Sequence, residues 1–368
     1  MVSRCLGSGK SAELWKSTVA LQAGAPQHNA AMNAIRRLLC VAALLVAAVP
    51  MIAICASPSP IEVRFSIGAS EESPRGRAAQ AFKRIVETRT KGRAKVEIFF
   101  DNTLYAQRDE LEALQLGAVQ VVCASLHTFS ALGLSDFEAF ELPYLFDSYE
   151  AVRRVTDGPV GARLLAQLRD KGIEGLAFWD IGFKQLSANR PLRLPEDARG
   201  LSIRTTYSRM SDMEVRALGA IPQPMSLPET RETLGSGALD ATELTVPLIE
   251  ANRLDDVQSY LTLTSHAYLG SALVVNRRFW DRLPGDVRAA FADAAREATA
   301  IANAAARKQE ADSLAALRAR DRIRIIALSD AEKRRWKQAL LPMYRSSENR
   351  LPAETLRAIY SAAGFSPD

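Results

Sequence analysis

Two cations bracket a proline-rich connection near the middle of the chain. The run is Gly182-Phe183-Lys184-Gln185-Leu186-Ser187-Ala188-Asn189-Arg190-Pro191, continuing through Pro195 to Leu201-Ser202-Ile203-Arg204. Pro191 and Pro195 resist helix and push the residues before them toward extended or turn backbone. Lys184 and Arg204 are therefore expected near strand ends rather than on a helix face. An arginine fork can grip both oxygens of one carboxylate, whereas lysine supplies a point charge. Two such charges converging on a crossing between domains suit a dicarboxylate, because a carboxylate is costly to bury unless donors and cations replace its water. On a solvated loop the same residues are ordinary surface cations.

Other chemistries find less support. The chain has no Gly-x-Ser-x-Gly elbow, no Ser-x-x-Lys and no His-Glu-x-x-His. Glu243 could serve as a general base, but nothing supplies its acid partner, so no enzyme is expected. Beyond residue 56 the histidines are His127 and His266, far apart and without paired ligand spacing, so neither a metal nor a cofactor is expected. Cys123 is the one cysteine in that part; it lies in the apolar run Val119 to Ala124 and reads as a buried, inert thiol. Cys5-Leu6-Gly7-Ser8-Gly9-Lys10-Ser11 has Arg4 where a phosphate loop needs its first glycine, and no strand precedes it.

The formal charge of +5 comes from 47 basic and 42 acidic side chains. Residues 1–56 hold Arg4, Lys10, Lys16, Arg36 and Arg37 against Glu13 alone, so the remainder carries 42 basic and 41 acidic groups. That near-neutral balance, without basic runs interleaved with aromatics, argues against nucleic-acid binding. From Met32 the chain reads as a signal peptide: Arg36 and Arg37, an apolar stretch from Leu38, and small Ala56 at the end. Pro50 and the missing basic flank speak against a membrane span, and bulky Ile54 before Cys55 speaks against a lipoprotein. The expectation is a leader over 32–56, a periplasmic mature protein, and a gene-model extension or disordered stretch over 1–31.

The elements that must hold the cations alternate. Val63 to Ile67 is predicted as a strand, Ser73 to Thr88 as a helix, Val96 to Phe100 as a strand, Arg108 to Leu116 as a helix and Val119 to Ala124 as a buried strand. Strands are also expected at Leu176 to Trp179, Leu201 to Thr205, Ala238 to Thr242, Leu273 to Asn276 and Ile323 to Leu328. Helices are expected at Arg209 to Leu218, Leu227 to Leu234, Asp286 to about Arg318 and Asp330 to Tyr344, with Ser346 to Asp368 weakly patterned. This is an α/β chain with mostly parallel sheets, long enough for two lobes.

The segment Gly182 to Arg204 resembles the solute-binding proteins of TRAP transporters, the DctP family, and especially its C4-dicarboxylate branch. There Gly-x-Lys-Gln-x-Ser-Ala-Asn, Pro-x-Asp-x-x-Gly and x-x-Arg follow in this order. The resemblance extends to Leu104-Tyr105, Glu110 to Gln120, Phe140-Glu141-Leu142-Pro143-Tyr144-Leu145-Phe146, Leu218-Gly219-Ala220-Ile221-Pro222, Gly237-Ala238-Leu239-Asp240 and Ser265-His266, covering about Glu62 to Tyr344. It implies a two-lobed periplasmic-binding-protein fold with the ligand cleft between lobes and a long helix across both. The expected limits are 57–134 with about 250–285 for lobe 1, 135–249 for lobe 2, and 286–368 for the spanning helix and C-terminal segment.

The resemblance also implies a small organic acid as ligand, TRAP membrane subunits (small and large) as partners, and a monomer. Arg204 is expected to grip one carboxylate and Lys184, where other branches have arginine, to neutralise a second. Ser125 aligns with a serine at the cleft edge, and Gln107 is an amide donor candidate. The family's Asp-Gly-x-Glu-Asn-Pro motif reads Asp240-Ala241-Thr242-Glu243-Leu244-Thr245, keeping Glu243 while Leu244 replaces a ligand-bonding asparagine; Thr245 is a substitute donor. Gly68 stands where the sialic-acid branch has asparagine. Trp179 and Tyr207 are candidate cleft walls, with core packing the first reading of Trp179. A ligand-sensing partner of a receptor kinase would use the same fold and site.

Overall fold

Strand β1, Ile61–Ile67, buries Val63, Phe65 and Ile67. The helix Pro74–Arg89 follows; Ser73 Oγ accepts from the Gly76 amide at 3.1 Å and Pro74 opens the first turn. Strands β2, Ala94–Phe99, and β3, Val121–Ser125, flank β1 in parallel. Their carboxyl ends, at Gly68, Phe100 to Asn102 and Ser125, therefore face one way. That edge is where open α/β sheets bind ligands. The computed structural model describes residues 59–367; the leader and extension expected over 1–56 lie outside them.

The remaining strands are β4 Ile173–Ala188, β5 Ser202–Thr205, β6 Ile221–Pro224, β7 Ala241–Thr245, β8 Tyr260–Leu263, β9 Tyr268–Asn276 and β10 Arg324–Ala327. Their order is β2-β1-β3-β9-β4-β7-β5-β6, with β8 joining β4 to β10. Five of the nine pairings are parallel; the antiparallel ones all involve β4 or β9. From Ile173 to Phe183, β4 pairs with β9 in the first sheet; from Lys184 to Ala188 it pairs with β7 in the second. The molecule is thus two-lobed, with β4 threading both sheets. The sheets do not follow the limits expected at 135–249 and 250–285, because 173–183 joins the first sheet and β8 the second.

Lys184 consequently sits inside a 16-residue strand, not in a loop. The prolines begin only at Pro191, after the strand has ended, and the bend is made at Gly182, whose φ is 136° with the register shifting between Asp180 and Gly182. A β-carbon at Gly182 would also meet Thr245 Cγ2 at 3.3 Å. Strand β7 likewise runs three residues later than predicted, which puts Glu243 within it.

The helix Gly285–Arg320 has 36 residues and spans about 54 Å at 1.5 Å per residue. Phe291 packs edge-on against Phe82 in the first core, with ring centroids 5.6 Å apart. Midway, Thr299 accepts from Trp179 Nε1 and Asn303 from the Asp180 amide, both at 2.9 Å. At its far end Leu317 enters the second core, and Arg320 pairs with Asp255 at 2.8 Å and Glu250 at 2.7 Å. Phe291→Ala is expected to cost about 3–5 kcal/mol in chemical denaturation while leaving ligand affinity near wild type. Pro342 divides the last predicted helix into Asp330–Leu340 and Pro342–Glu348, and the weakly patterned tail forms a further helix, Ala353–Ala363. Among the described residues no helix is long and apolar enough to cross a membrane.

Candidate functional site

Lys184 is 1% exposed, and its ammonium donates to Glu214 Oε2 at 3.0 Å and Glu243 Oε2 at 2.7 Å. His266 Nε2 lies 3.2 Å from Glu214 Oε1, while its Nδ1 is 2.6 Å from Thr264 Oγ1. Ser211 Oγ donates to the other Glu243 oxygen. Burial opposes the charge of Lys184, but Glu214, Glu243 and Glu141 outweigh it and raise its pKa. Burial likewise opposes ionised Glu243, and Lys184 with His266 overcomes it, so that carboxyl titrates below its usual range. Lys184 is therefore not a free cation: two carboxylates already compensate it, which corrects the expectation that it neutralises a ligand carboxylate. Glu214, Glu243 and His266 have ligand atoms within 4.8 Å of one another, but the Lys184 ammonium already pairs with both carboxylates.

Glu214 was not anticipated, although the sequence held a signal. In the helix Arg209–Ala217 the buried residues are Met210, Ser211, Glu214 and Val215, so a carboxylate lies on the inward stripe and must find a partner there. Ser208 caps this helix and also donates to Glu141 Oε2 at 2.5 Å. Burial pushes Glu141 up to about 7. Its Oε1 lies 3.9 Å from His127 Nδ1, but burial, Lys184 and Arg204 pull His127 down to about 4, so the imidazole is neutral at pH 7 and this contact is no ion pair.

Arg204, on β5, is 4% exposed. Nε and Nη2 donate to the Met225 carbonyl at 3.2 and 2.9 Å, which leaves buried Nη1 with no partner. Among the described residues no carboxylate lies within ion-pair distance, and burial lowers its pKa to about 10. Such a cation is short of an anion. Gln107 donates to Ser125 Oγ at 3.0 Å and stands 3.4 Å from His127 Nε2, so the carboxyl end of β3 and the Arg204 region meet at His127.

A cleft of about 490 Å³ opens between the two lobes. Gly68, Ser73, Arg75 and Asn102 line one side, Leu227, Thr245, Pro247 and Leu248 the other, and Asp180, Ile181, Ala306 and Gln309 cross between them. Arg204 does not line it. The lining does reach Leu227, two residues past the carbonyl that Arg204 holds, and Thr245, whose buried Oγ1 has no partner. Gly68 leaves room for Asn102, whose Oδ1 would lie 2.6 Å from a β-carbon there.

The other predicted walls fall elsewhere. Leu244 packs in the second-lobe core with Leu261 and Ile249, because strand neighbours face opposite sides and Glu243 faces the charge network. Trp179 is fully buried against the long helix, and Tyr207 is 61% exposed. Gln107 and Ser125 join at His127 rather than in the open cleft.

Burial pushes Glu110, 1% exposed, up to about 8. Its folded pKa exceeds the ordinary 4.5, so the folded protein holds more protons between those values, and this residue's contribution to stability falls as pH rises from 4.5 to 8. Glu110→Gln removes that loss: the melting midpoint of the variant is expected to gain on wild type as pH is raised across this window.

A two-lobed α/β protein with a bent strand through both sheets, a helix spanning them and an unsatisfied buried arginine beside the cleft is a binding protein for an anionic solute. Residues 65–350 match the bacterial extracellular solute-binding protein family 7, DctP, and the chain belongs to that family. It is 41% identical to the C4-dicarboxylate-binding periplasmic protein DctP of Rhodobacter capsulatus, over 82% of this chain and 91% of that one. The TRAP periplasmic solute-binding protein of Shewanella oneidensis, solved with bound succinate, superposes with a TM-score of 0.80 at 32% identity, covering 83% of this chain and all of that one. The sugar-acid-binding protein DctPAm of Advenella mimigardefordensis, solved with galactonate, gives 0.79 at 27% identity, covering 83% and 98%.

Proposed function

We propose that the protein captures a C4-dicarboxylic acid outside the cytoplasm and delivers it to the membrane subunits of a TRAP transporter. The observation that carries this reading is Arg204, a buried guanidinium with an unpartnered nitrogen and no carboxylate in ion-pair distance. A ligand carboxylate supplies the missing acceptor, and the low-polarity surroundings strengthen the contact. Ser125, Gln107 and Thr245 are the neutral donors nearest in role. Closure of the lobes about the bend at Gly182 excludes water, and the closed form docks on the membrane subunits. The ligand leaves unchanged; Glu243 is not an available base, since Lys184 and Ser211 hold its oxygens. The binding unit is a monomer in the periplasm.

The 41% identity to a C4-dicarboxylate binder, against 27% to a galactonate binder, favours the diacid over a sugar acid. A thermal-shift screen against succinate, malate, fumarate, 2-oxo acids, aromatic acids and sugar acids tests the choice. A saturable rise with C4 diacids is expected. A rise confined to sugar or aromatic acids would leave the family and remove the diacid.

A further inference from the structure

A ligand with two carboxylates needs a second cation, and Lys184 is already compensated by Glu214 and Glu243. Among the residues lining the cleft, the only lysine or arginine is Arg75, in the first turn of the helix Pro74–Arg89. We propose that Arg75 receives the second carboxylate; the assignment rests on the diacid reading of the site.

Two observations carry it. Arg75 takes part in no ion pair among the described residues, and its one hydrogen bond to a carbonyl is from Nη2 to Gly68 at 3.2 Å. That bond fixes the guanidinium at the carboxyl end of β1, beside the thiol of Cys123 on β3, at the edge where parallel strands present ligand sites.

The acids nearby leave that positive charge available. Burial pushes Glu110 up to about 8, against the nearby charge of Arg75, so this carboxyl keeps its proton at pH 7. Asp180 is paired with Arg153 at 2.5 Å. Glu72 and Asp101 are exposed to solvent. A second groove, lined by Arg318, Arg322 and Arg324, is less promising: Arg322 pairs with Asp256 at 2.5 Å and Arg324 stacks over Tyr260.

Isothermal titration of wild type, Arg75→Gln and Arg75→Lys with succinate and with its monomethyl ester tests the assignment. Arg75→Gln is expected to weaken succinate about tenfold or more, as loss of one partner of a desolvated charge contact does. The ester, which lacks the second charge, should change little, and Arg75→Lys should recover part of the succinate affinity. Unchanged succinate binding by Arg75→Gln overturns the assignment and leaves Arg204 as the anchor. Equal weakening of both ligands in both variants also overturns it, showing that Arg75 supports the fold alone. Wild-type protein that binds no succinate removes the diacid reading and this assignment together.

Discussion

Arg204→Ala is expected to weaken binding of the cognate diacid by about 3 kcal/mol, roughly a hundredfold in Kd. The size follows from what the substitution leaves behind. The bound carboxylate would stay desolvated without its fork, so the variant loses the attraction and keeps the dehydration penalty. The folded protein should lose little, because the hydrogen bonds removed are two contacts to one carbonyl, at Met225. Removing a guanidinium whose burial lowers its pKa to about 10 also relieves a desolvated charge. Weak binding with a melting midpoint near wild type is thus the expected pair of results. Arg204→Lys should recover only part of the affinity, since a point charge cannot hold both oxygens.

Lys184→Met is expected to act in the opposite way, through stability. It removes the ammonium that holds Glu214 and Glu243, both 2% exposed, and leaves two carboxylates facing each other in the core. Breaking a buried pair from one side costs about 3–5 kcal/mol. The defect carries its own pH signature. Without the cation, burial raises the carboxyl pKa values above their unfolded values, so the variant binds excess protons when folded and loses stability as pH rises. Denaturation at pH 5 and pH 8 checks the sign: the variant should lie closer to wild type at pH 5. Adding Glu214→Gln should restore part of the loss at pH 8, because one buried charge is then gone.

Much of the architecture was legible because it is local. Hydrophobic alternation in Val63 to Ile67, the Ser73 cap with Pro74 after it, and the Ala-rich run after Asp286 each fix an element from its own residues. The place of Arg204 near a strand end was legible, whereas Glu243, expected at the ligand, is held by Lys184 and Ser211. The partners of Lys184 were not legible, because its strand is closed by a helix and a strand that lie distant in the sequence, and such pairing is settled by tertiary packing. Lys184 was expected near a strand end because of prolines that in fact follow the strand, while the bend came from Gly182. Leu244 was assigned to the ligand although strand alternation, applied from Glu243, already turned it toward the opposite core. Trp179 was read first as core and second as wall, and its full burial and bond to Thr299 place it in the core.

The central claim is that one buried, under-satisfied arginine beside this cleft anchors a small diacid. Isothermal titration of the wild-type protein and of Arg204→Gln with succinate tests it most directly. Saturable one-to-one binding by wild type, reduced roughly a hundredfold or more in a variant that melts near the wild-type temperature, is the expected result. Equal succinate affinity in the two proteins would contradict the account, because the anchor would then be another residue.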